Sequence, residues 1–122
     1  MLTIREAQLR AFSVHRTARF VDEMVQHIHA SLPDHYAALR DDGTRAAVER
    51  GVVSAGHYGL TSEDCAACFI RLAFLFDEDF HKQQPWAVEA LRVRDGDTEF
   101  DRTARLAEAA MAHLKQAAGL SE

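Results

Sequence analysis

Three clusters of helix-ending residues between positions 31 and 62 constrain this chain more than any other feature. Leu32-Pro33-Asp34, Asp41-Asp42-Gly43-Thr44 and Tyr58-Gly59-Leu60-Thr61-Ser62-Glu63 cut an alanine- and leucine-rich sequence into helix-length pieces. Proline removes a backbone donor, and glycine admits the left-handed backbone that closes a helix. No piece between the cuts alternates apolar and polar residues as a half-buried strand does. The expected fold class is all-α: one helical domain, 1–122, forming a bundle of five to six helices with a long N-terminal helix.

The pieces carry their own signals. Thr3-Ile4-Arg5-Glu6 reads as a capping box. A 3–4 stripe of Ile4, Ala7, Ala11, Val14, Ala18, Val21, Val25 and Ile28 then predicts a helix to about Ala30. Pro33 begins a short second helix to Arg40, Asp41-Asp42-Gly43 is a turn, and Thr44 caps a third helix ending near Tyr58. Gly59 suits its left-handed closing residue. Thr61 or Ser62 caps a fourth helix, apolar nearly all round in its second half and therefore central. Asp77-Glu78-Asp79 ends that run, and Lys82-Gln83-Gln84-Pro85 is a connector. A fifth helix runs from Trp86 to about Val93, and Asp95-Gly96-Asp97 is a turn. Thr98 with Asp101 caps a last helix whose inward stripe is Phe100, Ala104, Ala107, Met111 and Leu114.

With 19 acidic and 14 basic residues the formal net charge is −5. Phosphate attraction needs a surplus of Lys and Arg, so no nucleic acid is expected as a partner. A helix-turn-helix reading of Gly56 to Thr61 would lead with Ser62-Glu63-Asp64, which repels phosphate. The longest apolar stretch, Leu72 to Phe76, is too short for a membrane span, and Met1 to Glu6 does not read as a signal peptide. The expected location is cytoplasmic.

Motifs that carry chemistry are sparse, and no catalytic residue, cofactor or metal ligand is expected. Cys65-Ala66-Ala67-Cys68 has redox spacing, but the strand that precedes it in a thioredoxin-like fold is missing. Zinc would need two further ligands, so both cysteines read as small buried groups. Glu78-Asp79-Phe80-His81 is a single Glu-x-x-His, whereas a di-iron bundle needs two. It reads as a solvated acidic helix end with a surface histidine. A histidine-based metal or haem sensor and a DNA-binding regulator stand as alternative functions. Tyr58, Phe74, Phe76, Phe80 and Trp86 crowd the middle of the chain beside Asp79. They are either core aromatics joining the fourth and fifth helices or anchors for a protein partner.

Several short segments resemble small helical bacterial proteins associated with type VI secretion effector gene clusters. They are Leu2-Thr3-Ile4-Arg5 with Gln8, Phe20 and Met24 with His27-Ile28, Leu32-Pro33, Gly51-Val52, His57 through Thr61, Phe69 through Leu72, Phe76, Asp79-Phe80 and Pro85-Trp86. The usual pattern has a glycine where this chain has Asp77, and an acid where it has His81. The resemblance implies a non-enzymatic accessory of a secretion system, an effector chaperone, adaptor or immunity-type protein. The candidate partner-binding residues, read from the aromatic cluster beside the acidic run and not from the resemblance, are Tyr58, Phe76, Asp79, Phe80 and Trp86; the partner the resemblance implies is a secreted effector or another secretion component.

Overall fold

A computed structural model describes the backbone of residues 4–119 and the side chains of residues 17–119. The Thr3–Glu6 capping box and the apolar stripe before Thr17 lie outside those side chains. The fold is all-α. Six helices are described, α1 (Ile4–Ser31), α2 (Pro33–His57), α3 (Glu63–Leu75), α4 (Phe80–Gln83), α5 (Pro85–Ala90) and α6 (Glu99–Ala117), with no strand among the described residues. The chain divides into two compact units, Met1–Glu49 and Arg50–Glu122.

In the first unit, Val21, Met24, Val25 and Ile28 of α1 are buried at the predicted 3–4 spacing, while Ala18 is exposed. Pro33 starts α2 directly after the end of α1, with Leu32 alone between them. Leu32 donates to the Ile28 carbonyl at 2.8 Å, and Tyr36 donates to that of Leu32 at 3.0 Å. Tyr36 also stacks on His29, ring centroids 4.0 Å apart. Arg45 reaches Asp22 on α1 through a hydrogen-bonded ion pair.

The break foreseen at Asp41-Asp42-Gly43 sits one residue earlier. Arg40 has φ 61° and ψ −179° and kinks α2, while residues 41–43 are helical. Asp41 and Asp42 thus open the second segment of α2, where acidic side chains oppose the helix dipole favourably. Thr44 does not cap that segment. It is fully buried inside it, and its hydroxyl has no hydrogen-bond partner. A helical threonine ordinarily bonds the carbonyl four residues back. Here that carbonyl belongs to Arg40, whose ψ turns it out of the helical direction.

Arg40 occupies a region essentially reserved for glycine, at a cost of order 1–3 kcal/mol. Arg40→Gly should release it, less the glycine penalty of roughly 1 kcal/mol. The expected net result is a gain of about 1 kcal/mol, read as a higher Tm. Arg40→Ala keeps the strain and should gain nothing; an equal gain from alanine would assign the effect to the side chain instead.

In the second unit, α2 ends as its glycine predicts. Gly59 has φ 74°, Leu60 donates to the Ala55 carbonyl, and Gly59 donates to that of Gly56, both at 3.0 Å. This paired closure buries Leu60 at the helix end. Ser62 caps α3 by accepting from the Cys65 amide at 3.2 Å. Cys65, Ala66, Phe69, Ile70 and Leu72 make α3 the buried helix expected of it. Thr98 and Asp101 form the predicted capping box of α6. The helix α6 lies against α3 and α5, and α4 lies against α5.

Three expectations need correction here. Lys82 and Gln83 are not connector but the end of the short helix α4. The fifth helix stops at Ala90 rather than near Val93. There Arg105 of α6 seizes the following loop, with Nη1 and Nη2 on the two carboxylate oxygens of Asp97 at 2.8 and 2.7 Å. The same guanidinium donates to the carbonyls of Ala90 and Arg92 at 3.2 and 3.0 Å. Together with the Arg94 amide, this fork holds the Asp97 carboxyl far below the usual carboxylate range.

The third correction concerns the faces of α6. Arg102, Leu106 and Ala110 are its buried residues, whereas Phe100, Ala104, Met111 and Leu114 of the expected inward stripe are exposed and Ala107 is half-buried. Arg102 turns inward because its guanidinium has an acceptor there. Its Nε donates to the Tyr58 carbonyl at 3.2 Å, at the free end of α2.

Candidate functional site

The tight break Phe76-Asp77-Glu78-Asp79 folds α4 and α5 back beside the end of α3. Asp79 donates its amide to the Asp77 carboxylate at 2.9 Å, and Phe80 donates to the Asp77 carbonyl at 3.0 Å. Pro85 then starts α5 at a first-turn position where its missing N–H costs nothing. These turns gather the aromatic side chains from separate stretches of sequence.

Phe80 forms the floor. It is fully buried, 5.2 Å from Phe69, 6.0 Å from Trp86 and 6.4 Å from Phe76 between ring centroids. Phe76 and Trp86 are half-buried and 5.0 Å apart. His113 of α6 closes the group, 5.5 Å from Trp86 and 5.7 Å from Phe76. Tyr58 joins from the end of α2, 5.9 Å from Phe69 and 5.4 Å from His81. Such offset and edge contacts add about 0.5–1.5 kcal/mol per pair beyond burial.

The structure therefore brings Tyr58, Phe76, Phe80 and Trp86 into one cluster. Both sequence readings of them apply, to different members. Phe80 is core. Tyr58, Phe76 and Trp86 keep part of their surface in solvent. Asp79 is exposed, and its side chain makes no cap bond to α4. The Trp86 indole nitrogen is buried without an acceptor.

His81 departs from its reading as a surface residue. It is buried, and Nδ1 lies 2.7 Å from the Tyr58 hydroxyl. Burial lowers its pKa from the ordinary 6.5, and Lys82 and His57 add to the effect against Asp79. A neutral ring with its proton on Nε2 can accept at Nδ1 from the Tyr58 hydroxyl. Burial also raises the Tyr58 phenol, which keeps it a donor. Because the folded His81 pKa is lowered, the unfolded chain takes up the proton first. The stability of this pair is full above about pH 6.5 and is lost as pH falls from there toward the folded value. Thermal melts between pH 7.5 and 5.5 (about one unit either side of that pKa) should show a decline that His81→Gln flattens. An unchanged slope in the variant would detach His81 from it.

Cys65 is buried and Cys68 half-buried, both as free thiols, and burial pushes the Cys68 thiol up, away from the thiolate form. Glu78, the acid of the single Glu-x-x-His, is ion-paired to Arg50. Among the described residues no three His, Cys, Asp or Glu side chains gather as a metal site, and no helix is long and apolar enough to cross a membrane.

Sequence reasoning missed two polar anchors of this region, Arg102 and Glu99. Glu99 accepts from the amides of Thr61 and Ser62 at 3.0 and 2.8 Å, with its pKa lowered chiefly by the Ser62 amide. Neither residue has a local sequence signal, because each partner lies far away along the chain. Compared with known proteins, the chain matches no protein-family model, no curated protein and no solved structure.

Proposed function

We propose that this chain is a non-enzymatic protein-binding accessory that grips its partner at the rim of the aromatic cluster. The observation that carries this reading is the division of labour within the cluster. A fully buried Phe80 fixes the floor, while Phe76 and Trp86 above it retain solvent-facing surface. Rigid, half-exposed aromatic rings are the side chains that most often anchor interfaces. Tyr58 and the uncommitted carboxylate of Asp79 sit at the edge, where a polar rim belongs. The sequence resemblance supplies the setting: a cytoplasmic effector chaperone, adaptor or immunity-type protein of a type VI secretion system, with a secreted effector or secretion component as partner.

The test is affinity capture from the native bacterium with the full chain, identifying bound proteins by mass spectrometry. A stoichiometric secretion-related partner is expected, lost in Trp86→Ala and weakened in Asp79→Lys. The second variant lies on the exposed surface, so its effect cannot come from a collapsed core. Absence of any stoichiometric partner, or full retention by both variants, would overturn the proposal.

A further inference from the structure

The apolar stripe that α6 turns away from its own buried face has the spacing of a helix-pairing seam. Phe100, Ala104, Ala107, Met111, Leu114 and Ala118 follow one another at alternating intervals of four and three, the a/d pattern of a coiled coil. All are exposed except the half-buried Ala107, and Phe100, Met111 and Leu114 keep 58%, 56% and 42% of their surface in solvent. Arg102, Leu106 and Ala110 form a separate face, centred about 120° round the helix. A 19-residue helix with its inward face satisfied thus presents a second seam about 28 Å long.

The order of side chains on the seam selects its occupant. A parallel copy would set Phe100 on Phe100 and alanine on alanine, leaving three layers crowded and three empty. An antiparallel copy sets Phe100 on Ala118, Ala104 on Leu114 and Ala107 on Met111, each a large group facing a small one. That complementarity holds in every layer and allows close approach of the two backbones. The flanking charges agree with it, since the same register places exposed Asp101 beside exposed Lys115 of the copy, twice per pair. Glu108 meets its own counterpart near the two-fold axis, a like-charge contact that weakens the pair. We infer that α6 pairs antiparallel with α6 of a second copy of this chain, through the Phe100–Ala118 seam.

A seam of this length is at the small end of specific interfaces, so the dimer should depend on concentration. Sedimentation velocity of the intact chain across the micromolar range should show a monomer–dimer equilibrium. Met111→Glu should weaken it by roughly ten-fold or more, and Glu108→Gln should tighten it. A monomer at every concentration would overturn the inference. Orientation is read by cysteine pairing in a Cys68→Ala background. Ala104→Cys and Leu114→Cys proteins should crosslink to each other when mixed, and neither to itself. Self-crosslinking of the separate variants, or a dimer indifferent to Met111→Glu, would equally overturn it. These readouts do not involve the aromatic rim, so they stand or fall apart from the proposed partner.

Discussion

Phe80→Ala is expected to destabilise the protein by about 3–5 kcal/mol, the range for deleting a fully buried aromatic ring. The four-residue helix α4 has little else to hold it. Phe80 and His81 are its only buried residues, and Phe80 alone touches Phe69, Phe76 and Trp86 together. A cavity there would unseat the floor of the cluster, and the surrounding turns could relax into it only in part. Natural domains hold roughly 5–15 kcal/mol in total, so the variant should retain a folded state of much reduced midpoint. Urea unfolding followed by fluorescence suits the test, because Trp86 is the single tryptophan and sits in the cluster. Phe80→Leu, which keeps most of the volume, should cost less than about 1.5 kcal/mol. A loss below about 1 kcal/mol on truncation to alanine would mean that α4 does not depend on this ring.

The second large effect lies where α2 crosses α3. Gly51 is buried, and a Cβ placed on it would stand 2.7 Å from Cγ1 of Ile70, a fully buried side chain. On an exposed helix, glycine to alanine stabilises by roughly 1 kcal/mol. Here the added methyl meets a branched neighbour with no room to move, and overpacking of this kind costs about 1–3 kcal/mol. Gly51→Ala should therefore lower stability despite its better helix propensity. Ile70→Ala alone should cost about 2–5 kcal/mol through its cavity. In that background Gly51→Ala should change sign and stabilise by roughly 1 kcal/mol, because the cavity accepts the methyl. The double-mutant cycle on urea midpoints checks it, and additive effects would exclude direct contact.

Local rules carried most of the architecture. Pro33, Gly59, Ser62, Thr98 and Gly119 mark element ends through their own backbone or side-chain chemistry, and the structure places each at or beside such an end. The α1 stripe was legible because an apolar side chain at 3–4 spacing has one favourable destination. The stripe of α6 was misread for the same reason. It is the more apolar face, but the inward face is won by an arginine whose acceptor lies 44 residues away. No periodicity reports such a pairing. His81 was missed likewise, since its burial depends on Tyr58, 23 residues earlier. Arg40 shows the remaining gap: the aspartates and glycine after it looked like a turn, while the residue that bends carries no turn-forming chemistry.

The bonds from Glu99 to the amides of Thr61 and Ser62 have a consequence for how the protein is made. Those amides lie at the entry to α3, yet their acceptor is synthesised 37–38 residues later. A ribosome adds roughly 5–20 residues per second, so the entry to α3 waits about 2–8 seconds for its partner. Until then the newly made chain carries the most apolar helix of the protein without its final anchor. That interval is when a holding factor, or premature contact with another nascent chain, would act on it.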